Sequence, residues 1–193
     1  MKLVVATNNI KKAAELHALL SPLGVELLTL AQASVDIEIE ETGDTFAQNA
    51  LLKASHANVM TGLPAVADDS GLCVDALDGG PGVYSARYGG VGGDVDRSAL
   101  LLKNMERHDD RACAFVCCMC LVLPYKPPVY FEGVCRGELL RAPRGSGGFG
   151  YDPIFWVPEF QCSMAELTPE IKNLGSHRGR AARKLAAYIA DLM

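Results

Sequence analysis

Two acidic clusters stand out as residues able to do chemistry. In residues 64–72 (PAVADDSGL) a short apolar run meets Asp68, Asp69, the hydroxyl of Ser70 and then Gly71. Neighbouring carboxylates repel, and a bound cation or a proton relieves that repulsion. In an extended segment the two side chains point to opposite faces, so at most one follows the apolar side. The stretch suits a hard-metal or acid/base site at a strand end. The same residue types also suit a solvated turn with a helix cap. The second cluster is Glu38, Glu40 and Glu41 in VDIEIEETGD. With no His or Cys nearby, these all-oxygen donors select Mg²⁺, Mn²⁺ or Ca²⁺ over zinc.

Cations gather where helices are expected to begin. Lys11 and Lys12 fall in the first turn of a predicted helix over 10–20, where each opposes the helix dipole at a cost of about 0.3–1 kcal/mol. One bound anion would satisfy both the lysines and the exposed amides; alternatively the lysines swing into water. The helix expected from Ser176 to the C-terminus repeats the pattern with His177, Arg178 and Arg180. Residues 145–150 (GSGGFG) match G-x-G-x-x-G, yet no strand clearly precedes them and no helix follows, which argues against a dinucleotide fold. The loop's amides, beside Phe149 and Tyr151, suit an anion or a flat heterocycle. Together these features describe a phosphate ester bound through a divalent ion. No Ser-His-Asp or Cys-His arrangement is evident. The simplest nucleophile is a metal-activated water whose proton a carboxylate takes.

The chain that must position these groups has 193 residues, enough for one domain or two closely fused lobes. Its net charge of -5 argues against a broad nucleic-acid or anionic-membrane surface. No segment reads as a signal peptide or membrane span. Seven cysteines without framework spacing favour a reducing cytosol. Cys117 and Cys120 form C-x-x-C, but inside an expected strand they face opposite sides and cannot chelate one metal. Strands are expected at 2–6, 25–30, 35–40, 65–67, 112–123, 129–135 and 138–141. Helices are expected at 10–20, 94–107 and from a capping box at Thr45 and Gln48 to about residue 60. Lys53 and His56 read as surface or supporting groups rather than ligands.

These motifs in order resemble the inosine triphosphate pyrophosphatase (Ham1-like) family over nearly the whole chain. The resemblance is carried by ATNNIKK at 6–12, EETGDTFAQNA at 40–50, ADDSGL at 67–72, PGVYSARY at 81–88, GGFGYDPIF at 147–155 and SHRGRA at 176–181. It implies a single α/β domain over 1–193, with an elongated mixed sheet flanked by helices and two lobes around a substrate cleft. It implies a homodimer that hydrolyses XTP, ITP and dITP to the monophosphate and pyrophosphate with Mg²⁺; with the charge and cysteine usage above, the expectation is a cytoplasmic protein that binds neither nucleic acid nor membrane.

The resemblance also implies site roles. Thr7, Asn9 and Lys12 would hold the triphosphate, with Asn8, Ile10 and Lys11 in the same substrate-binding turn. Glu41 and Asp69 would hold the metal, Asp69 also serving as general base, and Ser70 would bind substrate beside it. Phe149, Gly150, Tyr151 and Asp152 would contact base and sugar, Phe149 by stacking. Lys172, His177 and Arg178 would complete the nucleotide pocket. Whether Asp68 or Glu38 joins the metal shell is open. A 6-oxo purine offers an acceptor where adenine offers an amino donor, so a pocket of donors from His177, Arg178 and backbone amides would reject adenine.

Overall fold

The computed structural model describes residues 1–35, 39–90 and 92–192. Its strands are β1 (Lys2–Val5), β2 (Glu26–Thr29), β3 (Ala65–Val74), β4 (Ala112–Val122), β5 (Val129–Leu139), β6 (Phe155–Val157) and β7 (Cys162–Ser163). Its helices are α1 (Ile10–Leu20), α2 (Phe46–Thr61), α3 (Asp94–Asn104), α4 (Pro169–Gly175) and α5 (His177–Leu192). The strands form one mixed sheet in the order β2-β1-β3-β4-β5-β6-β7. β1 runs parallel to β2 and β3, while β6 is antiparallel to β5 and β7. Among the described residues, no helix is long and apolar enough to cross a membrane.

Contacts divide the chain into two compact units. The first comprises Met1–Asp69, Cys117–Gly133 and the segment from His177 onward. Its core follows the two-residue period of its strands. Leu3, Val5, Val66, Cys117, Met119 and Leu121 pack with Leu16 and Leu20 of α1 and with Ala181, Leu185 and Ile189 of α5. The alternate positions Val4, Ala65, Ala67, Cys120 and Val122 pack with Ala50, Ala54 and Ala57 of α2. Both faces of these strands are therefore covered, which is why they read as near-continuous apolar runs. Cys117 and Cys120 fall in different clusters, as their three-residue spacing requires. Burial pushes the thiols of Cys118 and Cys120 up to about 11 and about 12, so neither is a nucleophile at neutral pH.

The second unit comprises Ser70–Val116 and Val134–Ser176. Leu72, Val74, Leu101, Met105, Phe115, Leu139, Ile154, Phe155 and Met164 form its core. The rings of Phe115 and Phe155 lie 4.6 Å apart, centroid to centroid. α3 stops at Asn104, short of the expected Arg107. The Arg111 guanidinium donates to the carbonyls of Met105, Leu139 and Leu140 and fastens the turn that ends the helix.

Three expectations about strands need correction. The strand expected over 65–67 does not end before the acidic pair: β3 runs on through Asp68, Asp69, Ser70 and Gly71 to Val74. The two strands expected around Arg136 and Gly137 are one strand, β5. Gly137 marks a close crossing rather than a turn, since a Cβ there would lie 2.3 Å from the Trp156 carbonyl oxygen. Of the half-buried strand expected at 35–40, residues 36–38, including Glu38, lie outside the described residues, and Val35, Ile39 and Glu40 are not in strand conformation. α4, β6 and β7 were too short to show a period in the sequence.

Candidate active site

Because β3 continues through the acidic pair, its alternation sends the two carboxylates to opposite faces. Asp68 lies on the face of Val66, towards α1 and α5. Its Oδ2 accepts hydrogen bonds from Nε and Nη2 of Arg178 at 3.2 and 3.1 Å. Lys12 Nζ lies 3.4 Å from the same oxygen. Arg178 donates in turn through Nη1 to Glu15 of α1 at 2.6 Å. Arg178 is only 1% exposed, so this is a buried charge cluster. Burial alone would raise the Asp68 pKa. Lys12, then Arg178 and Lys53, override it and hold the carboxyl well below the usual carboxylate range. Asp68 is thus committed to two cations of its own chain.

Asp69 lies on the face of Ala65 and Ala67, towards α2. Its Oδ2 accepts a hydrogen bond from Asn49 Nδ2 at 2.9 Å. Lys53, one turn further along α2, places Nζ 3.8 Å from Asp69 Oδ1 and also donates to Glu41 Oε1. Burial raises the Asp69 pKa. Lys53 and Asn49 pull against that rise and Glu41 adds to it, and the net shift is upward. Asp69 is therefore the more basic of the two aspartates. An ammonium between two carboxylates shows that a cation is stabilised there, and the donors are hard oxygens. Among the described residues no group of three or more His, Cys, Asp or Glu side chains is placed to hold a metal. Two carboxylates fit Mg²⁺, which commonly takes one or two and completes its shell with waters and substrate phosphate.

The turn before α1 is built by Asn9, whose side chain caps the helix by accepting from the amides of Lys11 and Lys12 at 3.0 and 3.2 Å. Thr7 Oγ1 accepts from the Asn9 amide at 3.2 Å. Asn8 and Lys11 are exposed, and Ile10 is 85% exposed. The amides expected to greet an anion are thus partly met by Asn9, and Lys12 turns inward to Asp68. His177 is buried at the start of α5 beside Arg178.

In the second unit the glycine-rich loop is tied down by its own side chains. Asp152 Oδ2 accepts from the Phe149 amide and from Lys172 Nζ, both at 2.8 Å. The Lys172 ammonium also lies 4.6 Å from the centre of the Phe149 ring. Gly148 has φ +72°, and a Cβ there would come within 2.1 Å of Asp152 Oδ2. The Gly150 amide donates to Asp94 at 2.8 Å. The Tyr151 hydroxyl donates to the Ser85 carbonyl at 2.8 Å. Tyr151 and Asp152 are buried framework, whereas Phe149 and Gly150 are half-buried. Ser70 follows Asp69 in β3 and is half-buried.

The expected site residues divide between the two units. Thr7 to Lys12, Glu41, Asp69, His177 and Arg178 belong to the first, and Ser70, Phe149 to Asp152 and Lys172 to the second. The sequence left Asn49 and Glu15 unassigned and read Lys53 only as a surface or supporting group. Asn49 and Lys53 are four apart on α2 and so share a face, and Glu15 lies one turn from Lys12 on α1.

Residues 3–188 match the Ham1 family. The chain is 51% identical over 192 residues to the dITP/XTP pyrophosphatase of a Nostoc species, covering 99% of this chain and 95% of that one. It is 51% identical over 194 residues to the dITP/XTP pyrophosphatase of Thermus thermophilus, covering 99% and 93%. The fold is similar to that of a HAM1 protein from Coxiella burnetii, with a TM-score of 0.92, 43% identity and 99% of each chain covered.

Proposed function

The chain belongs to the Ham1 family, and we propose that it hydrolyses the deaminated purine nucleoside triphosphates XTP, ITP and dITP to the monophosphate and pyrophosphate, with Mg²⁺ as cofactor. The observation that carries this reading is the divided acidic pair. Asp68 is locked to Arg178 and Lys12, while its neighbour Asp69 is kept basic beside Glu41. Such a division leaves one carboxylate of the pair for proton transfer.

Asp69 takes the proton of the attacking water as the α–β phosphoanhydride breaks, and with Glu41 it would hold the metal. When bound, the ion supplies charge neutralisation at the phosphates and a lowered pKa for water. Thr7, Asn9 and Lys12 bind the triphosphate, with Asn8, Ile10 and Lys11 forming the same turn. Ser70 binds substrate next to Asp69. Phe149 stacks on the base, and Gly150, Tyr151 and Asp152 shape the base and sugar contacts. His177, Arg178 and backbone amides supply donors to a 6-oxo group, Arg178 while holding Asp68, and Lys172 is a further nucleotide-binding group. Asp68 stays outside the metal shell in this scheme. Seven free thiols are in keeping with a reducing cytoplasm. A homodimer is part of the proposal, and sedimentation tests it.

Pyrophosphate release from ITP, XTP, GTP, ATP, dTTP and UTP, each with purified protein and Mg²⁺, tests the function. Release confined to ITP and XTP is expected. Release mainly from dTTP or UTP would move the chain to a Maf-like pyrophosphatase activity. Binding without any release would make it a nucleotide sensor.

A further inference from the structure

We infer that Asn49 is a positioning residue that ties the Asp69 carboxylate to the loop carrying Glu41, so that both acidic groups are presented together. The inference rests on the metal role proposed above for Glu41 and Asp69.

Asn49 is fully buried near the start of α2 and makes two side-chain hydrogen bonds in opposite senses. Nδ2 donates to Asp69 Oδ2 at 2.9 Å, and Oδ1 accepts from the Gly43 amide at 2.7 Å. An ionised carboxylate only accepts and a backbone N–H only donates, so a flipped amide would lose both bonds. Gly43 stands two residues from Glu41. A Cβ at position 43 would lie 2.7 Å from Asn49 Oδ1 and 2.7 Å from Gln48 Cβ, so the close approach requires glycine. Gln48 holds the next residues, its Oε1 accepting from the amides of Asp44 and Thr45. Consecutive side chains of α2 therefore hang the loop on the helix. Asn49 joins that loop bond to a bond with Asp69. Lys53 then reaches both Glu41 and Asp69 from the following turn. Bonds behind acidic ligands fix their orientation, and losing such a bond typically weakens metal affinity or activity 10- to 100-fold.

Two variants test this. Asn49→Leu keeps the branching at Cγ and deletes both bonds. Gly43→Ala leaves Asn49 in place and pushes its Oδ1 away. Mn²⁺ affinity of the free protein is read by electron paramagnetic resonance, alongside kcat and KM for ITP with Mg²⁺ and the melting temperature. For Asn49→Leu, Mn²⁺ binding is expected to weaken roughly 10- to 100-fold. kcat should fall by a similar factor and KM by much less. Gly43→Ala should act in the same direction, and it decides the matter if Asn49→Leu does not fold. A lower melting temperature with unchanged Mn²⁺ affinity and kcat would make Asn49 a packing residue and overturn the inference alone. If the wild-type protein binds no Mn²⁺, the metal role of Glu41 and Asp69 fails, and this inference with it.

Discussion

Asp68 and Asp69 are consecutive residues of one strand, yet one faces Arg178 and the other faces Asn49 and Lys53. The alternation of β3 makes this separation, and it holds the two carboxyls on opposite sides of the ordinary aspartate pKa. The residue next to the carboxylate proposed as the base is therefore part of the scaffold. It neutralises a buried arginine and draws in Lys12 from the N-terminal turn.

Asp68→Asn is expected to destabilise the protein far more than a surface change. The substitution leaves Arg178, 1% exposed, without its main counter-charge. Breaking a buried pair by removing one partner costs about 3–5 kcal/mol. Urea unfolding checks it. The Asp68 pKa is depressed on folding, so its contribution is present above the unfolded value of about 3.9 and is lost as the pH falls below it. The stability gap between wild type and Asp68→Asn should therefore close in acid.

Asp69→Asn is expected to have the opposite balance. Its pKa is raised on folding, so its contribution is fully present below the unfolded value and is lost as the pH rises through the folded one. At neutral pH without metal, the ionised group detracts from stability. Asp69→Asn in EDTA should melt at or above the wild-type temperature at pH 7, with the difference shrinking towards pH 4. Turnover of ITP should fall at least about 100-fold, the low end of what a general base contributes. Near wild-type turnover would remove the base role from Asp69.

Much of this division could be read in the sequence. An aspartate pair after an apolar run implies opposite faces, and the lysines opening α1 and the basic residues opening α5 announce unmatched cations. What could not be read was the partner of each. Asp68 and Arg178 are 110 positions apart, and nothing local says that they meet. Instead of ending β3, Ser70 and Gly71 stay extended because the strand's neighbours hold them, a tertiary effect that overrides turn propensity. Gly137 misled for a related reason: glycine marks close backbone crossings as well as turns.

Lys172→Met is expected to raise KM for ITP and to lower the melting temperature. Lys172 is 6% exposed and neutralises Asp152, which also accepts from the Phe149 amide. A hydrogen bond to a charged group contributes about 1.5–3 kcal/mol, so KM should rise roughly tenfold or more. Lys172→Arg should not restore the wild-type value, because a planar guanidinium cannot replace a compact ammonium in a buried space. A KM unchanged within error would detach Lys172 from the nucleotide pocket.

Gly148→Ala tests the same oxygen from the backbone side. At φ +72° a side chain is strained, and a residue held there costs of order 1–3 kcal/mol. The added Cβ would also come within 2.1 Å of Asp152 Oδ2, the atom that receives both Lys172 and the Phe149 amide. The substitution must displace Asp152 or the loop, and either movement releases the hydrogen bond that sets Phe149. A rise in KM similar to that of Lys172→Met is expected, with kcat less affected. Because both changes act on one oxygen, their effects should not add: the double variant should lose less than the sum of the two single losses. Full additivity in a double-mutant cycle, measured as kcat/KM for ITP, would show that Gly148 and Lys172 act on the loop independently and that Asp152 is not their common anchor.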